Sequence, residues 1–571
     1  MTVTEKPNRT FVGVDVRYTW DNLKPYFDDL LNRKITSKSD LKNWLKDRSE
    51  LNAVLEEEFA WRYIRMNIDT TDAKLQESFH FFVEKLNPNV APFENLLNQK
   101  LYESNFKKEL TEDGFSILLR SVANQIELFR EENIPLFTKL ESESQKYGGI
   151  AAGMSIIYKG EEFTLQAAAK FLKNTDRKVR EEVYHLIQDR RFEDVEKLDA
   201  LFDDLIDLRQ KIAANANFEN YRDYMFKAMD RFDYSVTDCE AFHESIKKHL
   251  VPLLTEVTAK RQKTLELNKL RPWDLSVDIE LQEPLQPFKD GKELLAKTIE
   301  CFDNIDPFFG NCLREMDRKK HLDLESKKGK APGGFNYPLY ESGYPFIYMN
   351  AVGSFRDVVT MIHEGGHAIH SVLSHKLELT DFKGLTSEIA ELASMSMELI
   401  SMDNWHVFFD NKEDLKRAKR DQLMDILGTL PWVATIDKFQ HWLYTKKNHS
   451  VAERNEYWLN LTSEFSSGQV DWTGIEKFKA SQWQKQLHLY EVPFYYIEYG
   501  MAQLGAIAMW RNYKKDPKKT IQQYKDALSL GYTKSIGEIY ETAGIKFDFS
   551  TEYVQELSQF ICGELQQTFK D

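Results

Sequence analysis

Two of the thirteen histidines in this chain bracket a glutamate in His363-Glu364-Gly365-Gly366-His367. On an α-helix, side chains four residues apart project from one face, so both imidazoles can reach one metal ion. The intervening glutamate then points toward water in the ion's open position and can take its proton. That chemistry is metal-assisted hydrolysis. A third protein ligand is needed, because catalytic zinc takes three protein groups and keeps one position for water. His370 lies on roughly the same face, but seven residues at about 1.5 Å each put it about 10 Å along the axis from His363. It is excluded as a ligand of the same ion and is assigned to packing or to an outer role.

The next helical stretch, Ser387 to Glu398, carries Glu388, Glu391 and Glu398 at spacings of three and seven, near one face of a segment rich in Ile, Leu, Ala and Met. Carboxylates on a buried face need partners. An exposed acidic stripe, the plain structural alternative, would ordinarily contain Lys or Arg as well. Spacing alone does not say which glutamate completes the site.

The motif needs a helix to display it. Ser354 followed by Asp357 reads as an N-terminal cap, and Phe355, Val358, Val359, Ile362, Ile369, Val372 and Leu373 form an apolar stripe on both sides of the motif. Gly365 and Gly366 together cost such a helix about 1–2 kcal/mol relative to Ala, which close approach of another backbone would explain. Just upstream, the turn-rich loop Gly329 to Gly334 precedes a strand candidate at Pro345 to Asn350, so the active site is expected there. A short hairpin is expected over Ser155 to Thr164, turning at Lys159-Gly160.

Elsewhere apolar residues recur three and four apart, as in Phe115, Ile117, Leu118, Val122, Ile126, Leu128 and Phe129. Only 25 Gly and 16 Pro punctuate 571 residues, so the chain is mainly α with long helices, and no fixed-period repeat is evident. That length exceeds one compact core. A division near residue 195 is expected, into an N-terminal helical lobe over 1–195 and a catalytic region over 196–571.

The balance of 76 Lys+Arg against 91 Asp+Glu, a net charge of -15, disfavours nucleic acid or an anionic membrane as partner. Cys239, Cys301, Cys312 and Cys562 form no C-x-x-C pair, which points to a reducing compartment rather than to disulfides or a thiolate zinc cluster. The first twenty residues lack a cationic stretch followed by an apolar one, and no segment is apolar for long enough to span a bilayer. A cytoplasmic protein acting on small ligands is the expectation.

The residues at this point resemble the thimet oligopeptidase and oligoendopeptidase F group of zinc peptidases, and oligoendopeptidase F most. The resemblance rests on His363-Glu364-Gly365-Gly366-His367-Ala368, on Glu391, Ser394 and Glu398 in the pattern E-x-x-S-x-x-x-E, and on the Tyr-rich segment His488 to Gly500. It implies Glu391 as third ligand of one zinc per chain, of the gluzincin type, with Glu398 behind it as the acceptor of a ligand histidine's ring N–H. It also implies that His488, Tyr496 and Tyr499 hold the substrate and its oxyanion. The spacing between the histidine and the tyrosines departs by about a residue from thimet oligopeptidase, which leaves Tyr495 and Tyr490 in play. Ordinary aromatic packing is the alternative for these tyrosines. The implied fold is a large helical bundle of two apposed lobes around a deep channel, with a small β element beside the motif helix.

The function expected is hydrolysis of internal bonds in short peptides, Glu364 acting as general base. An extended substrate is expected to pair with the strand through Phe346, Ile347 and Tyr348, beside Gly333, Gly334 and Tyr495. An exopeptidase of the same chemistry would differ only in how the channel ends are closed. A non-catalytic peptide binder would have no use for Glu364.

Overall fold

The computed structural model describes residues 9–384 and 386–569, so the first eight residues of the N-terminal reading lie outside it. Seven helices position the site: α1 (Lys38–Ile68), α2 (Val236–Thr264), α3 (Phe355–Ser374), α4 (Ser387–Ser401), α5 (Lys412–Thr445), α6 (Leu487–Glu491) and α7 (Tyr496–Lys515). The strands among the described residues are β1 (Ser155–Tyr158), β2 (Glu161–Thr164), β3 (Leu322–Glu325), β4 (Phe335–Tyr337) and β5 (Phe346–Ala351). The architecture is therefore mainly α, as the periodicity requires.

Strands β1 and β2 pair antiparallel, with Tyr158 opposite Glu161. Lys159 and Gly160 both take positive φ, 54° and 84°, the backbone a two-residue hairpin of this twist needs. Helix α3 begins at the expected cap. Ser354 and Asp357 satisfy each other's backbone N–H groups, and Asp357 also adds negative charge to the first turn.

The largest apolar cluster buries faces of α2 through α7, among them Phe242, Ile362, Leu392, Val433, Leu489 and Ile497. Gly366 lets two of these helices touch. A Cβ there would lie 2.7 Å from Ser394 Cα and 2.8 Å from Ala393 O, so α3 and α4 meet main chain to main chain. At Gly365 the same atom would strike the Phe302 ring at 2.7 Å. Both glycines of the motif are thus spent on close approach.

The second sheet corrects one expectation. Its order is β3-β5-β4, so β5 is central: Ile347 pairs with Leu322 on the parallel side and Tyr348 with Phe335 on the antiparallel side. Phe346, Ile347 and Tyr348 are buried, Phe346 and Tyr348 against Ala60 and Ile64 of α1. No edge of β5 remains for a substrate, and its side chains serve the core. The near-continuous apolar run was the sign, since strands buried on both faces lose the alternation of half-exposed ones. The edges of this sheet belong to β3 and β4, and of the two it is β4 that carries residues lining the cleft described below, Phe335 and Asn336.

Among the described residues all four cysteines are free, and no helix is long and apolar enough to cross a membrane.

Candidate active site

Helix α3 presents His363 and His367 one turn apart, and α4, held against it at Gly366, presents Glu391. Glu391 Oε2 lies 3.3 Å from His363 Nε2 and 3.7 Å from His367 Nε2, and one donor atom from each residue falls within 4.8 Å of the others. Glu391 Oε2 also accepts from Ser394 Oγ at 3.0 Å, and Oε1 from the Tyr495 hydroxyl at 2.9 Å. Glu398, two turns along α4, stands 2.7 Å from His363 Nδ1 and accepts from Gln422 Nε2 of α5 at 2.7 Å. An imidazole whose Nδ1–H is taken by a carboxylate offers its Nε2 lone pair outward. Glu388 takes no part: it turns to the Tyr234 hydroxyl, 2.5 Å away.

The charges are those of a cation site. Burial pushes Glu391 up, but the hydrogen bond with His363 and the charge of His367 outweigh it and hold the carboxyl at about 2. Burial alone would lower His363, yet Glu391 and Glu398 together raise it well above the usual imidazole range, a measure of how strongly these carboxylates favour positive charge at this point. His367 is pushed down to about 4, chiefly by burial, and offers a neutral lone pair. Two imidazoles and a buried carboxylate converging in this way fit a zinc ion. Glu364 is buried and pushed up to about 7 by desolvation, with Asn336 of β4 donating to its backbone carbonyl at 3.2 Å.

His363, Glu364, His367, Glu391 and Asn336 line a solvent-open cleft, together with Gly334, Tyr340, Tyr495 and Tyr499. Gly333 stands one residue back with φ 104°, its carbonyl accepting from Asn350 Nδ2 at 2.9 Å. His370 also reaches the cleft, fully buried with both ring nitrogens unpartnered, and burial takes it down to about 3.

The tyrosines separate. Tyr490 is buried, stacked on Tyr147 with centroids 4.4 Å apart, and plays a packing role. Tyr495 and Tyr499 line the cleft, while Tyr496 packs its ring 4.9 Å from His488 beside them. His488 Nε2 lies 3.4 Å from the Tyr499 hydroxyl, and its Nδ1 meets Gln486 Nε2 at 2.8 Å. An amide NH₂ can only donate, so Nδ1 accepts and Nε2 carries the ring proton toward Tyr499. Burial lowers His488 to about 4, which keeps it neutral.

Sequence reasoning passed over Gln422, Trp432, Gln486, Asn336 and Tyr340. Each reaches the site through tertiary placement from a segment without distinguishing spacing. Only Asn336, two residues past the Gly333-Gly334 turn, had a local signal.

Residues 170–559 match the Peptidase family M3 profile, and residues 16–129 match the Peptidase M3 N-terminal domain. The first match takes in every residue of the cleft. The chain belongs to peptidase family M3. Among M3-type relatives, oligopeptidase PepF of Bacillus subtilis is 24% identical over 311 residues, 53% of this chain and 44% of that protein. An oligoendopeptidase F homolog of Borreliella burgdorferi is 24% identical over 382 residues, 64% and 61% of the two chains. The alignments thus span between two fifths and two thirds of these relatives. A solved structure of PZ peptidase A with inhibitor 2 superposes with a TM-score of 0.92 at 26% identity, covering 97% of this chain and 99% of that one.

Proposed function

We propose that this M3 family member is a zinc-dependent oligoendopeptidase that cuts internal bonds of short, unstructured peptides. The observation that carries the reading is the convergence of His363, His367 and Glu391 within 4.8 Å, with the buried Glu364 in the same cleft. The names of the relatives, oligopeptidase and oligoendopeptidase F, agree with it.

Held by His363, His367 and Glu391, zinc would supply Lewis acidity, polarising the scissile carbonyl and making water a stronger acid. Glu364 takes the proton of the attacking water and returns it to the leaving amine. A carboxyl brought to about 7 by burial is matched to both transfers near neutral pH. Tyr499, whose oxygen accepts from His488, turns its own O–H toward the carbonyl oxygen and meets the charge that develops there. Glu398, kept in place by Gln422, fixes the His363 tautomer.

The open edge of β4 offers main-chain groups at 335–337 to an extended peptide, which gives affinity with modest side-chain selectivity. The deep channel that the family resemblance implies would favour oligopeptides over folded proteins.

The test joins metal analysis to hydrolysis of a fluorogenic oligopeptide blocked at both ends. One zinc in this site, internal cleavage, and a Glu364→Gln variant that keeps metal but loses cleavage support the proposal. Release of terminal residues from unblocked peptides only would make the enzyme an exopeptidase. Equal cleavage by Glu364→Gln would remove the assigned base.

A further inference from the structure

Helices α2 and α5 pack together and carry two further pairs of donor residues, each four apart: Cys239 and His243 on α2, Asp437 and His441 on α5. The spacing that aims two side chains of α3 at one point therefore recurs on two facing helices. One donor atom each of Cys239, Asp437 and His441 lies within 4.8 Å of the others, as close as in the cleft. Cys239 and Asp437 are wholly buried, His243 is 2% exposed and His441 8%.

The hydrogen bonding is incomplete. His243 Nε2 stands 2.8 Å from Asp437 Oδ2, while Oδ1 has no partner. His441 Nε2 lies 3.2 Å from Oδ2 but is not aligned for a hydrogen bond, and it too is left over. Buried polar atoms without partners are rare, and a carboxylate oxygen is among the costlier ones. An orphaned carboxylate oxygen and an orphaned ring nitrogen beside a buried thiol form a set of donor atoms that a cation would satisfy.

The geometry points to a second, structural zinc site with Cys239, Asp437 and His441 as its ligands. His243 occupies Oδ2 and so turns Oδ1 toward the ion, the part an outer hydrogen-bonding partner plays for a ligand carboxylate. Thiolate, imidazole and carboxylate together suit zinc. The Cys239 S–H gives its proton to solvent as the S–Zn bond forms, so the two charges of the ion meet one thiolate and one carboxylate. The buried set is then neutral, which burial tolerates far better than an isolated charge. Asp437 lies fifteen residues beyond Gln422 on α5, about 22 Å at 1.5 Å per residue, so this ion is separate from the one proposed for the cleft. It would brace against α2 the helix that carries Gln422 and Trp432.

Zinc X-ray absorption on the full chain, purified without chelator, tests this without any variant. His363, His367 and Glu391 contain no sulfur, so a sulfur scatterer at about 2.3 Å reports on the second site alone. The expected result is that scatterer, with two zinc per chain; one zinc per chain with sulfur also supports the second site while counting against the first. Cys239→Ser should abolish the sulfur shell and lower the count by one, whereas Cys301→Ser should change neither. A shell of nitrogen and oxygen only, or sulfur that survives Cys239→Ser, overturns the proposal.

Discussion

Trp432 Nε1 donates to Gln486 Oε1 at 3.2 Å. An indole has no acceptor, so this contact fixes which end of the Gln486 amide faces His488. The direction of every bond down the line follows: indole to amide oxygen, amide nitrogen to His488 Nδ1, His488 Nε2 to the Tyr499 oxygen. A packing residue on α5 thus sets the tautomer of a histidine beside the cleft.

Gln486→Leu should therefore lower kcat by about 10- to 100-fold, the usual cost of losing an orienting partner, and leave metal content and KM nearly unchanged. Steady-state kinetics with metal analysis decides it. Gln486→Glu keeps an acceptor for the indole but reverses the bond to His488, and it should not restore kcat.

Tyr499→Phe should reduce kcat by about 100-fold or more, since it removes a donor from the developing oxyanion, whereas Tyr496→Phe should cost less than about tenfold. Equal losses at both positions would return Tyr496 to the cleft and undo the assignment made from its packing on His488.

Ile347 is fully buried on the central strand, so Ile347→Ala should destabilise the chain by about 2–5 kcal/mol, read by denaturant unfolding, with KM unaltered at a temperature where it stays folded. Replacing Asn336 with Pro on the edge strand should raise KM instead. The reverse pattern would mean that the substrate pairs elsewhere.

Glu498 bonds to Arg231 at 2.8 Å, and burial, then the charge of Glu388, push it up to about 8. An unfolded glutamate titrates near about 4.3, so between that pH and about 8 the folded chain holds a proton that the unfolded chain has released. By linkage, stability falls as pH rises through this window. Glu498→Gln should flatten that fall. Melting temperatures at pH 5 and pH 8 check it: the wild type should lose more than the variant.

The motif helix was legible because its function forces a pattern: His363, Glu364 and His367 must share a face, and Ser354 with Asp357 must start the helix. The hairpin was legible because Lys159-Gly160 leaves the chain few ways to turn. Glu391 could be told from Glu388 only by resemblance, since both are buried and only the contacts of Tyr234 and His363 distinguish them. The place of β5 in its sheet was misread because an extended apolar segment looks alike whether central or at an edge; partners distant in sequence, Leu322 and Phe335, decide which. Gln486, Trp432 and Gln422 were invisible because a single polar or aromatic side chain has no period.

Gly366 has a consequence for inheritance. Where Ser394 Cα and Ala393 O would crowd any added carbon, the gap between the two ligand-bearing helices is gauged by backbone atoms that every sequence shares. Substitutions can accumulate in the surrounding core, trading one apolar volume for another, without retuning the distance from His363 and His367 to Glu391. The lineage is free to drift at the neighbours of this joint, and it is at the glycine itself that drift must stop.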